Sequence, residues 1–223
     1  MRKLFCIVSS VMLFVSLAVA QSSLQQVETF ERSGGSWGWQ EFTHTKNQSA
    51  VIQNGQLVIK SKKRNKFLYG GIVGGLVGDL LYKGNPTIIT TQFPVDVDRN
   101  FKITTRILLP KYKKGEPVFG MVFDVGGVDG FLITSNKNAE LITAGAREKR
   151  AFPFKIGKKN AVVTIDIENR GGYLSFDVNG IAVFTDIEYK FTTSTLGFVA
   201  TEGEIRVVDV VVHQIPKEQN EED

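Results

Sequence analysis

Residues 161–185, AVVTIDIENRGGYLSFDVNGIAVFT, constrain the fold more than any other stretch of the chain. Val163, Ile165 and Ile167 alternate with Thr164, Asp166 and Glu168, and Leu174, Phe176 and Val178 alternate with Ser175, Asp177 and Asn179. A period of two sustained over six residues marks a half-buried strand, because successive side chains point to opposite faces of a sheet. Arg170-Gly171-Gly172 and Asn179-Gly180 separate the runs and supply residues that accept positive φ, as tight hairpins require. The spacing predicts a three-stranded antiparallel meander with one apolar and one polar face. That apolar face has to be covered, and the rest of the chain reads as the second sheet that covers it.

The remaining segments fit this plan. SAVIQNGQLVIKS, 49–61, reads as a hairpin turning at Asn54-Gly55. TIITTQF, 87–93, and FKITTRILL, 101–109, read as strands, with Thr104, Thr105 and Arg106 expected to face outward or to line a concave face. PVFGMVFDV, 117–125, is almost wholly apolar and reads as a central strand covered on both faces. GFLITS, 130–135, and AELITAG, 139–145, continue antiparallel, and AREKRAFPFKIGKKN, 146–160, reads as a long basic loop. The spacing of Trp37 and Trp39 in SGGSWGWQEF places both on one face of a strand. Sustained helical periodicity is confined to the first twenty residues and a glycine-rich stretch at 68–84. About twelve short strands with turns between them, and no internal repeat, point to one all-β, two-sheet antiparallel jelly-roll sandwich over residues 30–215.

The ends read differently. Arg2 and Lys3, an apolar run from Leu4 to Val19 and the small-x-small sequence Ala18-Val19-Ala20 predict a secretory signal peptide, residues 1–20, cleaved before Gln21. The apolar run falls short of a membrane span. The expected product is secreted or periplasmic. Cys6, the sole cysteine, lies inside the signal, so the mature chain has no disulfide, no thiol-based zinc site and no cysteine nucleophile. About 200 residues suffice for a core without such staples. Losing Arg2 and Lys3 lowers the formal charge from +4 to +2, a mild balance that does not suggest nucleic-acid binding. Residues 21–29 read as a polar arm, and PKEQNEED, 216–223, as a disordered acidic tail.

The run Val163-Thr164-Ile165-Asp166-Ile167-Glu168, then Gly172-Tyr173-Leu174-Ser175-Phe176-Asp177-Val178-Asn179-Gly180, resembles the late strands of concanavalin A-like lectin/glucanase domains. Gly197-Phe198 in TLGFVAT, the closing strand GEIRVVDVVVHQI at 203–215 and the Asn54-Gly55 hairpin extend the resemblance from about Phe30 to Ile215. It is similar to the secreted laminin-G-like and 3-keto-disaccharide-hydrolase-like jelly rolls. In the glucanases of this superfamily Glu-x-Asp-x-Glu on one strand supplies the catalytic carboxylates. Here Thr164 takes the first position, and threonine cannot form the glycosyl ester of a retaining mechanism. Asp166 and Glu168 therefore read as the solvated face of a strand, with catalysis through them as the alternative.

Other chemistry is sparse. His44 and His213 are far apart in sequence, and there is no Gly-x-Ser-x-Gly elbow. Asp96, Asp98, Asp124 and Asp129 could offer oxygen ligands to calcium, but their spacing is not that of a calcium loop, so no cofactor is expected. Trp37 and Trp39, or Tyr69, Tyr82 and Tyr112, are candidates for a sugar-stacking platform, with Arg106 and Asn179 as hydrogen-bonding partners. Clusters around Lys60–Lys66, Lys111–Lys114, Arg147–Arg150 and Lys155–Lys159 read as loop charges. Gly70, Gly74 and Gly78 recur every four residues among Ile72, Val73, Leu76, Val77, Leu80 and Leu81. Residues 68–84 thus read as an insertion folded over the sandwich edge, or as a self-associating or membrane-contacting segment. The sequence supports an exported, non-catalytic module binding glycan or a cell-surface partner. A glycoside-acting hydrolase and an envelope-associated structural protein using 70–81 are the alternatives.

Overall fold

The computed structural model describes residues 24–45, 48–61, 86–111, 119–123, 129–135, 137–143, 146–153, 155–157, 159–201 and 203–215. The expected signal peptide, Tyr69, Tyr82, Tyr112, Asp124, the glycine-rich stretch and the acidic tail lie outside the described residues.

Fifteen strands are described. The first five are β1 (Gln25–Glu28), β2 (Phe42–Thr45), β3 (Gln48–Gln53), β4 (Gln56–Ser61) and β5 (Thr87–Gln92). Next come β6 (Phe101–Lys111), β7 (Phe119–Phe123), β8 (Asp129–Ile133), β9 (Asn138–Thr143) and β10 (Ala146–Ala151). The last are β11 (Lys159–Arg170), β12 (Tyr173–Val178), β13 (Ile181–Glu188), β14 (Thr195–Ala200) and β15 (Gly203–Gln214). They form two antiparallel sheets. The nine-stranded sheet runs β13-β12-β11-β6-β15-β4-β3-β2, with β1 added against β15, and the six-stranded sheet runs β10-β9-β8-β7-β14-β5.

The alternation seen in the sequence sets the core. Val163, Ile165 and Ile167 of β11 and Leu174, Phe176 and Val178 of β12 are at most 1% exposed, and they meet the six-stranded sheet. Phe176 stacks on Phe131 of β8 with ring centroids 4.9 Å apart, and Phe184 of β13 meets Phe131 edge-on. Each such ring removes a large apolar area from water, and the packed pairs add a smaller orientational gain. β7 is buried at all five positions, as a central strand covered on both faces must be. Its outward Val122 joins Leu132, Ile142 and Val199 in a second buried cluster on the far side of the six-stranded sheet. Asn54-Gly55, Gly171-Gly172 and Asn179-Gly180 all take positive φ at the expected hairpin turns.

Several expectations need correcting. Residues 25–28 are not a free arm: they pair with β15 from Gln25↔His213 to Glu28↔Val210. Residues 146–151 are not loop but the edge strand β10, exposed at every position. An edge strand without an inward face has no apolar period for the sequence to show. Several basic residues expected in loops accordingly sit on strands, among them Arg147, Lys149 and Arg150. Thr104 and Thr105 do not share a face: Thr104 is half-buried outside, whereas Thr105 is fully buried and donates its hydroxyl to Asp209 O (2.9 Å) beside a register shift in β15.

Candidate functional site

The outward face of the nine-stranded sheet carries the polar half of the alternation. On β11, Asp166 stands opposite Thr104 of β6 on one side and Asp177 of β12 on the other. Thr104 donates its hydroxyl to Asp166 Oδ1 (2.5 Å), and Lys102 Nζ lies 3.7 Å from the same oxygen. Glu168 accepts a charge-assisted hydrogen bond from Arg170 two residues along its own strand. Arg106 grips Asp209 of β15 through Nε and Nη2, and this pairing raises the guanidinium pKa still further. Burial, and then the facing Asp166, raise the Asp177 carboxyl above its ordinary value; Lys102 opposes this and Glu168 adds to it. Two carboxylates directly across a strand pair repel each other.

The structure separates the four residues expected to bind ligand. Arg106 and Asn179 flank Thr164: Arg106 is its cross-strand partner, and Asn179 Oδ1 accepts its N–H (2.8 Å). Asn179 therefore locks a turn, with φ of 52°. The tryptophans lie elsewhere, and not on a strand. Gly34, Gly35 and Gly38 all take positive φ, which turns residues 32–38 into a compact loop. Trp39 is buried to 3% exposure, stacks on Phe198 and leaves its Nε1 without a partner, so it offers no face to a ligand. Trp37 is half-buried against Phe93 (5.0 Å between centroids). Glu28, 1% exposed, holds the loop by accepting the N–H groups of Phe30, Ser36 and Trp37. Two of the aspartates considered for calcium are engaged by protein groups. Asp96 accepts the Asp98 N–H (3.1 Å), and Asp129 accepts the Tyr189 hydroxyl (2.8 Å). Among the described residues no group of three or more His, Cys, Asp or Glu side chains gathers as a metal site.

At one end of the sandwich the surface opens into a groove of about 580 Å³. It is built by residues 97–100 before β6, by Asn169 and Gly171–Tyr173 at the β11–β12 turn, and by Glu188–Phe191 after β13. Gly171 donates its N–H to Asn100 Oδ1 (2.8 Å), and Tyr189 donates its N–H to Gly172 O (2.9 Å), so the three segments are tied together. Tyr173 is 52% exposed. Sequence reasoning passed over it, although Tyr173 occupies an outward position of a strand whose inward residues are Leu174, Phe176 and Val178. Asp177 was legible in the same way. Counting back equally from a two-residue Gly171-Gly172 turn pairs it with Asp166.

These elements define a two-sheet antiparallel sandwich with a polar outer face and an end groove. No family model and no curated protein matches the sequence. Solved structures do match in fold. A carbohydrate binding module from Bacillus subtilis superimposes with a TM-score of 0.52 at 12% identity, over 79% of this chain and 96% of that one. The catalytic domain of an endo-1,3-β-glucanase (laminarinase) from Thermotoga petrophila gives 0.54 at 13% identity, over 88% of this chain and 100% of that one. The Bacillus licheniformis β-glucanase gives 0.53 at 10% identity, over 88% and 100%. The fold is that of the concanavalin A-like lectin/glucanase jelly rolls.

Proposed function

We propose that the protein is an exported carbohydrate-recognition domain that binds its glycan without cleaving it. The observation that carries this reading is the state of the outward carboxylates on β11. Asp166 is engaged by Thr104 and Lys102, and Glu168 by Arg170. Thr164 stands where a further carboxylate would complete the set. Threonine at that position cannot serve as the second carboxylate of a retaining mechanism, whereas a rigid array of satisfied polar groups suits recognition. Structural neighbours of this fold include a carbohydrate binding module as well as glucanases, so the fold is compatible with both roles and the site has to decide.

One observation favours the hydrolase alternative. Asp166 faces Asp177, whose carboxyl is held above its ordinary value, and unequal carboxyls are what acid/base work on a glycoside needs. The two readings separate in one experiment. The protein is screened on a glycan array, and each bound glycan is then incubated with it and assayed for released reducing ends. Binding without release is expected. Release that vanishes in both Asp166→Asn and Asp177→Asn would replace the binding reading with the hydrolase.

A further inference from the structure

We infer that the groove between residues 97–100, the β11–β12 turn and residues 188–191 is the ligand site, and that it takes a hydroxyl-rich ring such as a pyranose; the assignment rests on the carbohydrate-binding reading above. The groove falls within the roughly 300–1,000 Å³ typical of small-ligand sites. What distinguishes it is an exposed aromatic ring beside a floor tied together by hydrogen bonds. Asn169 lines the groove at 5% exposure, and its Oδ1 is buried with no partner. The Asn169 Nδ2 donates to Arg99 O (3.4 Å), which fixes the amide so that the oxygen is the end left over. Asn169 is the cross-strand partner of the buried Leu174 and Phe101, so its amide lies on the inward side of β11 and braces the Arg99 backbone beneath the groove.

The rest of the lining asks for the same class of molecule. Asn100 spends its oxygen on the Gly171 N–H, so its amide N–H groups are what it offers a ligand. Asp98 and Glu188 add acceptors, and Arg99 and Lys190 add donors, in equal number. A site with matched donors and acceptors and no net charge suits hydroxyls, which both give and take hydrogen bonds, and suits a phosphate or an ammonium poorly. Tyr173, 52% exposed at the rim, supplies a ring against which the C–H face of a sugar can lie. Its Cα partner across the β12–β13 pair is Glu188, so an aromatic face and a carboxylate share one wall.

The test uses the full chain as exported and a set of gluco-, manno-, galacto- and chito-oligosaccharides, with dissociation constants measured by calorimetry. For whichever sugar binds, Tyr173→Ala is expected to weaken affinity by roughly tenfold or more, and Glu188→Gln by several-fold. Tyr173→Phe keeps the ring and is expected to keep most of the affinity. Both sites are exposed, so unchanged melting temperatures will separate lost contact from lost folding. A bound sugar whose affinity is indifferent to Tyr173→Ala and Glu188→Gln overturns the groove and leaves carbohydrate binding standing. Absence of binding to every sugar, on this set and on the array, overturns both.

Discussion

Asp177 shows how one side chain can work against the fold that holds it. Its folded pKa lies above the unfolded value of about 3.9, so between the two the native state binds more protons than the unfolded one. Stability attributable to this group therefore falls as pH rises from the unfolded value through the folded one, and stays lower above it. Asp177→Asn is expected to raise the melting temperature at pH 7, with the gain disappearing as pH drops below about 4. Differential scanning calorimetry of both proteins from pH 3 to 8 checks it; a gain that grows toward low pH would contradict the assignment. Glu41 behaves oppositely. Burial acts to raise its pKa, but hydrogen bonds from the Ser33 hydroxyl and the Ile52 and Gly34 N–H groups outweigh that and lower it. Its contribution is present above the unfolded pKa and lost as pH falls through the folded one. The alternation on β11 and β12 made Asp166, Asp177 and Tyr173 legible as outward residues. Trp39 was misleading because a tryptophan signals neither exposure nor burial by itself, and the positive φ that Gly34, Gly35 and Gly38 adopt is visible only in the structure. Asn169 was illegible: nothing in a sequence marks an amide as lacking a partner.

At the scale of elements, the six-stranded sheet depends on glycines that face its outer side. A Cβ on Gly120 would lie 2.1 Å from Phe131 O, and one on Gly197 would lie 2.1 Å from Ile89 O, each on the adjacent strand. No side chain can rotate away from such a clash, since both atoms are backbone. Gly197→Ala is expected to cost about 3 kcal/mol, on the order of 10 °C in melting temperature for a domain of this size, as thermal denaturation will show. The Gly197-Phe198 pair was visible as a motif, but the reason for its glycine was not, because the neighbouring carbonyl comes from residue 89, far back in the chain. The same distance hid β1. Four residues of mixed polarity give no strand signal alone, and only the ladder to β15 defines them as one. Hairpins between adjacent segments, by contrast, were read with their turns in place, since their pairing is local.

For the whole molecule, the export reading makes a direct prediction. Protein recovered outside the cytoplasm should begin at Gln21 by intact mass, leaving three residues before the described Leu24 and four before β1. An N-terminus at Met1 in the exported fraction would contradict cleavage after Ala20.

The position of β15 carries a further consequence. One edge of β15 pairs with β6 along almost its entire length, while the other edge takes β4 over Gly203–Val207 and β1 over Val210–His213. The strand that emerges last among those described is thus the axle on which three much earlier ones turn. Until the ribosome has released it, β1, β4 and β6 each lack a neighbour, and the sheet cannot close. A polypeptide wired this way stays unfinished until β15 has emerged. For a chain read as bound for export, that delay is useful: it remains threadable until β15 has been made.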